Sequence, residues 1–207
     1  MAYDLEEQEQ IDEFKAWWKQ YGKMVSTLVI GGVALYAGYQ VWHYTQNKQA
    51  VEASSEYQAL VTTDAKDLKA IQEKSATIMD KFGGTPYAAR AALFAAKANY
   101  DAKDTKSAKA QLDWAIKNAK ETAASALASL QLANILMEEK DYEGALKLLN
   151  APHDAGFAGL FADLKGDVLS AQGKSAEAKA AYEEALKKLD VQGKYRSITQ
   201  RKLESLG

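Results

Sequence analysis

The sequence has no cysteine, two histidines and two prolines among its 207 residues. Without cysteine there are no disulfides, no thiol nucleophile and no cysteine-ligated zinc, and the redox compartment is left open. His43 and His153 lie far apart in the chain, so a histidine acid–base pair or zinc site lacks its raw material. His43 reads as a polar residue at the edge of an apolar run, and His153 as a loop residue beside Pro152. Neither G-x-x-x-x-G-K-[ST] nor G-x-S-x-G occurs, so the phosphate cradle and the nucleophile elbow are both missing. The formal charge of −2 leaves no basic footprint for phosphates, which excludes nucleic acid as a partner. Asp and Glu are plentiful but sit at helical spacing, where they are solvated or paired along a helix face. No catalytic residue, metal or cofactor is expected, and the chain is not read as an enzyme.

What is present is helix. With prolines at positions 86 and 152 alone, and Ala, Lys, Glu and Leu filling long stretches at helical spacing, the chain reads as all-α. One segment differs from the rest. "MVSTLVIGGVALYAGYQVW", residues 24–42, has no charged side chain. Its 19 residues would span roughly 28 Å as a helix, close to the ~30 Å thickness of bilayer hydrocarbon. Trp17, Trp18 and Tyr21 precede its centre and Tyr36, Tyr39, Trp42 and Tyr44 follow it, an aromatic belt at each end. A cleaved leader is disfavoured by the acidic residues that precede the run, among them Asp4, Glu6, Glu7, Glu9, Asp12 and Glu13, and by the lack of a small-x-small site after Trp42. A buried core helix would need a partner surface apolar all round, which amphipathic helices do not offer.

Lys15, Lys19 and Lys23 lie before the run and Lys48 alone lies soon after it, so the positive-inside rule puts the N-terminus in the cytoplasm. The expected divisions are a short cytoplasmic arm at 1–23, a transmembrane helix at 24–43 and a far-side helical domain at 44–207. In the arm, Ile11, Phe14, Trp17 or Trp18 and Tyr21 recur at helical spacing and suit the headgroup region. Within the span, Gly31, Ala34 and Gly38 fall on one face, where a second transmembrane helix could approach closely.

After "DLKAIQEKSATIMDKF", Gly83 and Gly84 stop one helix and Pro86 starts the next. A repeat then emerges from "KDTKSAKAQLDWA" (103–115), "KDYEGALKLLNAP" (140–152) and "GKSAEAKAAYEEA" (173–185). It puts Ala108, Ala145 and Ala178 in register, then Leu112, Leu149 and Tyr182, then Ala115, Pro152 and Ala185. The offsets of 37 and 33 residues are close to the ~34 of a tetratricopeptide repeat. Stacked helical hairpins with small residues at their crossings follow. First helices of such hairpins line a concave groove, and that geometry nominates Arg90, Lys97, Tyr100, Leu127, Leu130, Asn134, Met137, Asp163 and Asp167 as a partner-binding surface. Some of these are expected to serve packing instead, Leu127 and Leu130 above all. "GFAGLF" (156–161) reads as an apolar loop before the third hairpin, with Phe157 and Phe161 expected to pack between hairpins.

The acidic arm, "FKAWWKQYGK", the Gly-rich span ending at Trp42 and "GFAGLFADLKGDVLSAQGKSAEAKAAYEEAL" (156–186) together resemble the YfgM family over nearly the whole chain. The resemblance implies a single-pass protein of the bacterial inner membrane with a periplasmic tetratricopeptide-repeat-like domain. It further implies association with the SecYEG translocon and with a membrane-anchored periplasmic chaperone of the prolyl-isomerase type, PpiD. The expected function is a non-catalytic adaptor that assists the handling of exported proteins. The alternatives are a holdase that binds unfolded chains directly and a scaffold that self-associates through span and domain.

Overall fold

The computed structural model describes residues 2–207, with side chains from residue 7 on. The acidic side chains of Asp4 and Glu6 lie outside the described residues. Helices α1 (Ala2–Val61), α2 (Leu68–Lys81), α3 (Pro86–Asp101), α4 (Thr105–Asn118), α5 (Thr122–Glu138), α6 (Tyr142–Leu149), α7 (Ala158–Ala171), α8 (Ser175–Lys188) and α9 (Lys194–Glu204) carry the chain. A single 3-10 turn, Ala155–Phe157, precedes α7, and no strand occurs among the described residues. The protein is all-α, and it divides into two units, Met1–Lys48 and Gln49–Gly207.

The first unit is the greater part of α1. Leu28, Val29, Ile30 and Val33 are exposed, and Leu35 is 78% exposed. The helix is long and apolar enough to cross a membrane, and its most apolar stretch is not buried at all, unlike a core helix. Phe14, Trp17, Trp18 and Tyr21 form one aromatic cluster with ring centroids 5.9–6.3 Å apart. Tyr39 packs on Trp42 at 6.2 Å and on His43 at 5.9 Å.

The second unit is a succession of packed helices in chain order: α2 on α3, then the hairpins α3–α4, α5–α6 and α7–α8, then α9 on α8. The end of α1 contributes Leu60, which is buried with Ile71 and Ile78 of α2 against Ala88, Ala91 and Ala95 of α3. Between hairpins the core is chiefly alanine. Ala108, Ala145 and Ala178 are each 0% exposed, and Leu112, Leu149 and Tyr182 sit buried one turn on, in the register read from the repeat. Alanine brings helix axes close, so small-residue positions decide how tightly each hairpin closes.

The turns repeat as faithfully as the helices. Lys103, Lys140 and Gly173 take left-handed conformations at φ 68°, 64° and 77°. The following N–H groups of Asp104, Asp141 and Lys174 donate to Asn99, Leu136 and Leu169 carbonyls at 2.9, 2.8 and 3.0 Å. Each is a Schellman closure, which satisfies the carbonyls that a helix end leaves unpaired. In the first two turns the next helix is also capped, Asp104 accepting from Ser107 N–H and Asp141 from Gly144 N–H, both at 3.0 Å. The hydrogen bond from Ser107 holds the Asp104 carboxyl below its ordinary pKa.

Two departures from the sequence reading have local causes. Helix α6 ends at Leu149, so Pro152 lies beyond it and is exposed, whereas Ala115 and Ala185 are buried at the corresponding place. The segment 156–161 is not a loop throughout, because Phe161 belongs to α7. Phe161 is buried with His153 stacked on it at 3.8 Å, and Phe157 packs half-buried against the same cluster.

Candidate partner-binding groove

Helices α3, α5 and α7 touch in succession and present one face of the second unit. A cleft of ≈ 450 Å³ opens there. Seven of the nine nominated residues line it: Lys97, Tyr100, Leu127, Leu130, Asn134, Asp163 and Asp167. Its lining also takes in Leu160 and Leu164 of α7 and Tyr195 of α9. Leu127 is 39% exposed, and Leu130 is half-buried against the neighbouring core. A second cleft of ≈ 420 Å³, between α6, α7 and α8, is lined by none of the nine.

Arg90 and Met137 are placed elsewhere. Arg90 donates both ways to the Glu121 carboxylate, at 3.0 and 3.1 Å, and lies 5.6 Å from the Tyr87 ring centre. It ties α3 to the start of α5. Met137 packs half-buried against the α5–α6 core.

The polar groups of the cleft fall into three sets. Lys97 Nζ meets Asp101 at 2.7 Å along α3, both side chains largely in solvent. Tyr100 Oη donates to Glu138 at 2.5 Å, and Asn134 Nδ2 donates to the other carboxylate oxygen at 3.1 Å. That hydrogen bond to an anion raises the Tyr100 phenol above its ordinary pKa. No lysine or arginine forms an ion pair with Glu138 among the described residues.

The third set is internal. Lys202 of α9 reaches both Asp163 at 2.8 Å and Asp167 at 2.7 Å. Thr199 Oγ1 donates to Asp163 at 2.7 Å, and Tyr182 Oη donates to Asp167 at 2.8 Å. The two carboxylates are only 13% and 24% exposed. Burial alone would lower the Lys202 pKa, yet the hydrogen bonds and charges of the two aspartates outweigh it and raise the value. Burial, reinforced by Asp167, pushes the Tyr182 phenol up as well. Asp163 and Asp167 therefore stand at the groove wall while fastening α9 to α7.

Sequence reasoning missed Leu160, Leu164 and Tyr195. The first two lie three residues before Asp163 and Asp167 and share their helix face, so helical spacing alone could have found them. Tyr195 carried no signal, since α9 has no hairpin partner to place it in the repeat.

The family profile described as a tetratricopeptide repeat-like domain matches residues 15–207. The chain is 35% identical to an ancillary SecYEG translocon subunit of Neisseria gonorrhoeae, with 100% of each chain covered. It is 29% identical to the protein of that name from Escherichia coli, covering 97% of this chain and 96% of the relative. The Haemophilus influenzae protein is also 29% identical, with 89% and 91% covered. No solved structure matches the chain at a significant level. Matched from end to end by these proteins and by their repeat-like domain, the chain belongs to the YfgM family of ancillary SecYEG translocon subunits.

Proposed function

We propose that the protein is a membrane-anchored, non-catalytic adaptor of the SecYEG translocon. The span at 24–43 holds it in the inner membrane, the arm at 1–23 faces the cytoplasm, and the domain from 44 onward works in the periplasm. There the α3–α5–α7 groove engages a periplasmic chaperone of the PpiD kind and assists the handling of exported chains. The observation that carries the reading is full-length similarity to proteins named as ancillary SecYEG translocon subunits, joined to a largely apolar groove on a repeat-like domain. The family is not a catalytic one, and no cluster of three or more metal-ligating residues occurs among the described residues. The face of Gly31, Ala34 and Gly38 is open, with nothing close to either glycine, and serves as the contact with another membrane helix.

Photocrosslinking in living cells tests this, with the probe at Ala34, Lys97 or Asn134 in turn. The adaptor reading expects crosslinks from Ala34 to a translocon subunit and from the other two to a periplasmic chaperone. Crosslinks between copies alone would turn the reading to a self-associating scaffold, and crosslinks to many unfolded chains would turn it to a holdase.

A further inference from the structure

Resting on that reading of the groove, we propose that its occupant is a protein segment with apolar side chains flanked by lysine or arginine. The floor supplies the first half of the match: Leu127, Leu130, Leu160 and Leu164 line one continuous cleft. The charges supply the second. Lys97 is matched by Asp101, which leaves that pair neutral. Asp163 and Asp167 share the single ammonium of Lys202, so one negative charge stays uncompensated at that wall. Glu138 adds another just outside the cleft, where it is exposed and accepts from Tyr100 and Asn134, two neutral donors that line the cleft and fix the carboxylate without cancelling it. An apolar cleft with one acidic wall and a carboxylate at its rim attracts cations and repels acidic segments, which is how a weak interface selects among partners.

Lys202 already shows what the wall accepts. Its ammonium takes both aspartates at hydrogen-bond distance after crossing from α9. A lysine or arginine of the partner completes the same pattern at Glu138.

The test uses the full chain in lipid nanodiscs and two fluorescent synthetic peptides with identical apolar cores, one flanked by lysines and one by glutamates. Anisotropy should show tighter binding of the lysine-flanked peptide, with the preference shrinking as salt is raised. Glu138→Gln keeps acceptors for Tyr100 and Asn134 and removes the charge, and it should weaken that peptide roughly two- to fivefold. Equal affinity for the two peptides, or an unchanged affinity in Glu138→Gln, would overturn the inference. Leu127→Asp separates this from the groove reading itself. If it abolishes binding of both peptides while they bind wild type equally, the groove stands and the charge selection falls. If neither peptide binding nor chaperone crosslinking responds to Leu127→Asp, both fall.

Discussion

Gly166→Ala isolates the contact on which the third hairpin closes. A Cβ at Gly166 would lie 2.4 Å from Tyr182 Cε1, 2.5 Å from Cδ1 and 2.9 Å from Cζ. Carbon atoms pack at about 3.5–4.0 Å, so the ring must shift by roughly 1 Å or the helices must part. The ring is not free to shift. Its hydroxyl is held by Asp167 at 2.8 Å, and Asp167 is held in turn by Lys202 at 2.7 Å. Overpacking of this kind costs about 1–3 kcal/mol. Loosening a hydrogen bond to a charged group costs about 1.5–3 kcal/mol if the ring moves instead. Alanine's better helix propensity offsets about 1 kcal/mol. The net loss is about 0.5–2 kcal/mol, a fall in melting temperature of roughly 1–8 °C at this size. Thermal and urea unfolding followed by circular dichroism read it. The decisive comparison is Gly166→Ala in a Tyr182→Leu background, where the clashing ring is gone and the position matches Leu112 and Leu149. There the substitution should be neutral or stabilising. An equal penalty in both backgrounds, or a Gly166→Ala protein as stable as wild type, would refute the packing argument.

The turns predict the opposite sign. Lys103→Gly and Lys140→Gly remove left-handed strain from a residue with a Cβ and should each stabilise by up to about 1 kcal/mol, measured as a raised urea midpoint. Asn99 is 0% exposed in register with Leu136 and Leu169, so repeat consensus favours leucine there. Yet Asn99 accepts from Gln72 at 2.6 Å and donates to Gln111 at 2.7 Å, and Asn99→Leu should cost about 1–3 kcal/mol by stranding both partners. Alkaline pH should loosen the α7–α8–α9 end. Tyr182 and Lys202 both hold their protons more tightly folded than unfolded, so their contribution is complete below pH ~10 and is lost as pH rises through the raised folded values. The urea midpoint should fall above pH ~10, and Tyr182→Phe should flatten that fall.

The repeat was legible because packing enforces it position by position: Ala108, Ala145 and Ala178 are fully buried at the crossings, where a larger side chain would have to displace its neighbours. The apolar run was legible for the same reason, since nineteen residues without charge leave few other uses. Groove membership was readable for α3, α5 and α7 through helical phase, which placed Lys97, Leu127 and Asp163 on one face. Apart from Leu160 and Leu164, which helical spacing could have found, what escaped depends on distant partners. Nothing in the local sequence ties Lys202 to Asp163 or Arg90 to Glu121, contacts that close 39 and 31 residues apart. Tyr182 shows the limit most clearly. It occupies a leucine position, and only the absence of a side chain at Gly166 makes room for it.

A cleft of ≈ 450 Å³ with one unmatched negative charge at its Asp163–Asp167 wall and another at Glu138 on its rim is a modest binding site. Anchoring changes the arithmetic, because a domain held in the same membrane as its partner meets it at an effective concentration of order millimolar. On the adaptor reading proposed above, the span supplies proximity and the groove supplies choice, so the two should fail differently. Replacing residues 24–42 with a secretion leader, which releases the domain into the same compartment, should reduce chaperone crosslinking from Asn134 at least tenfold while leaving the preference for basic segments intact. Glu138→Gln in the anchored protein should leave crosslinking to the translocon through Ala34 unchanged and shift which partners Asn134 captures. A released domain that crosslinks its chaperone as well as the anchored one would mean that the groove is tight in its own right, and that the membrane helix serves the translocon contact alone.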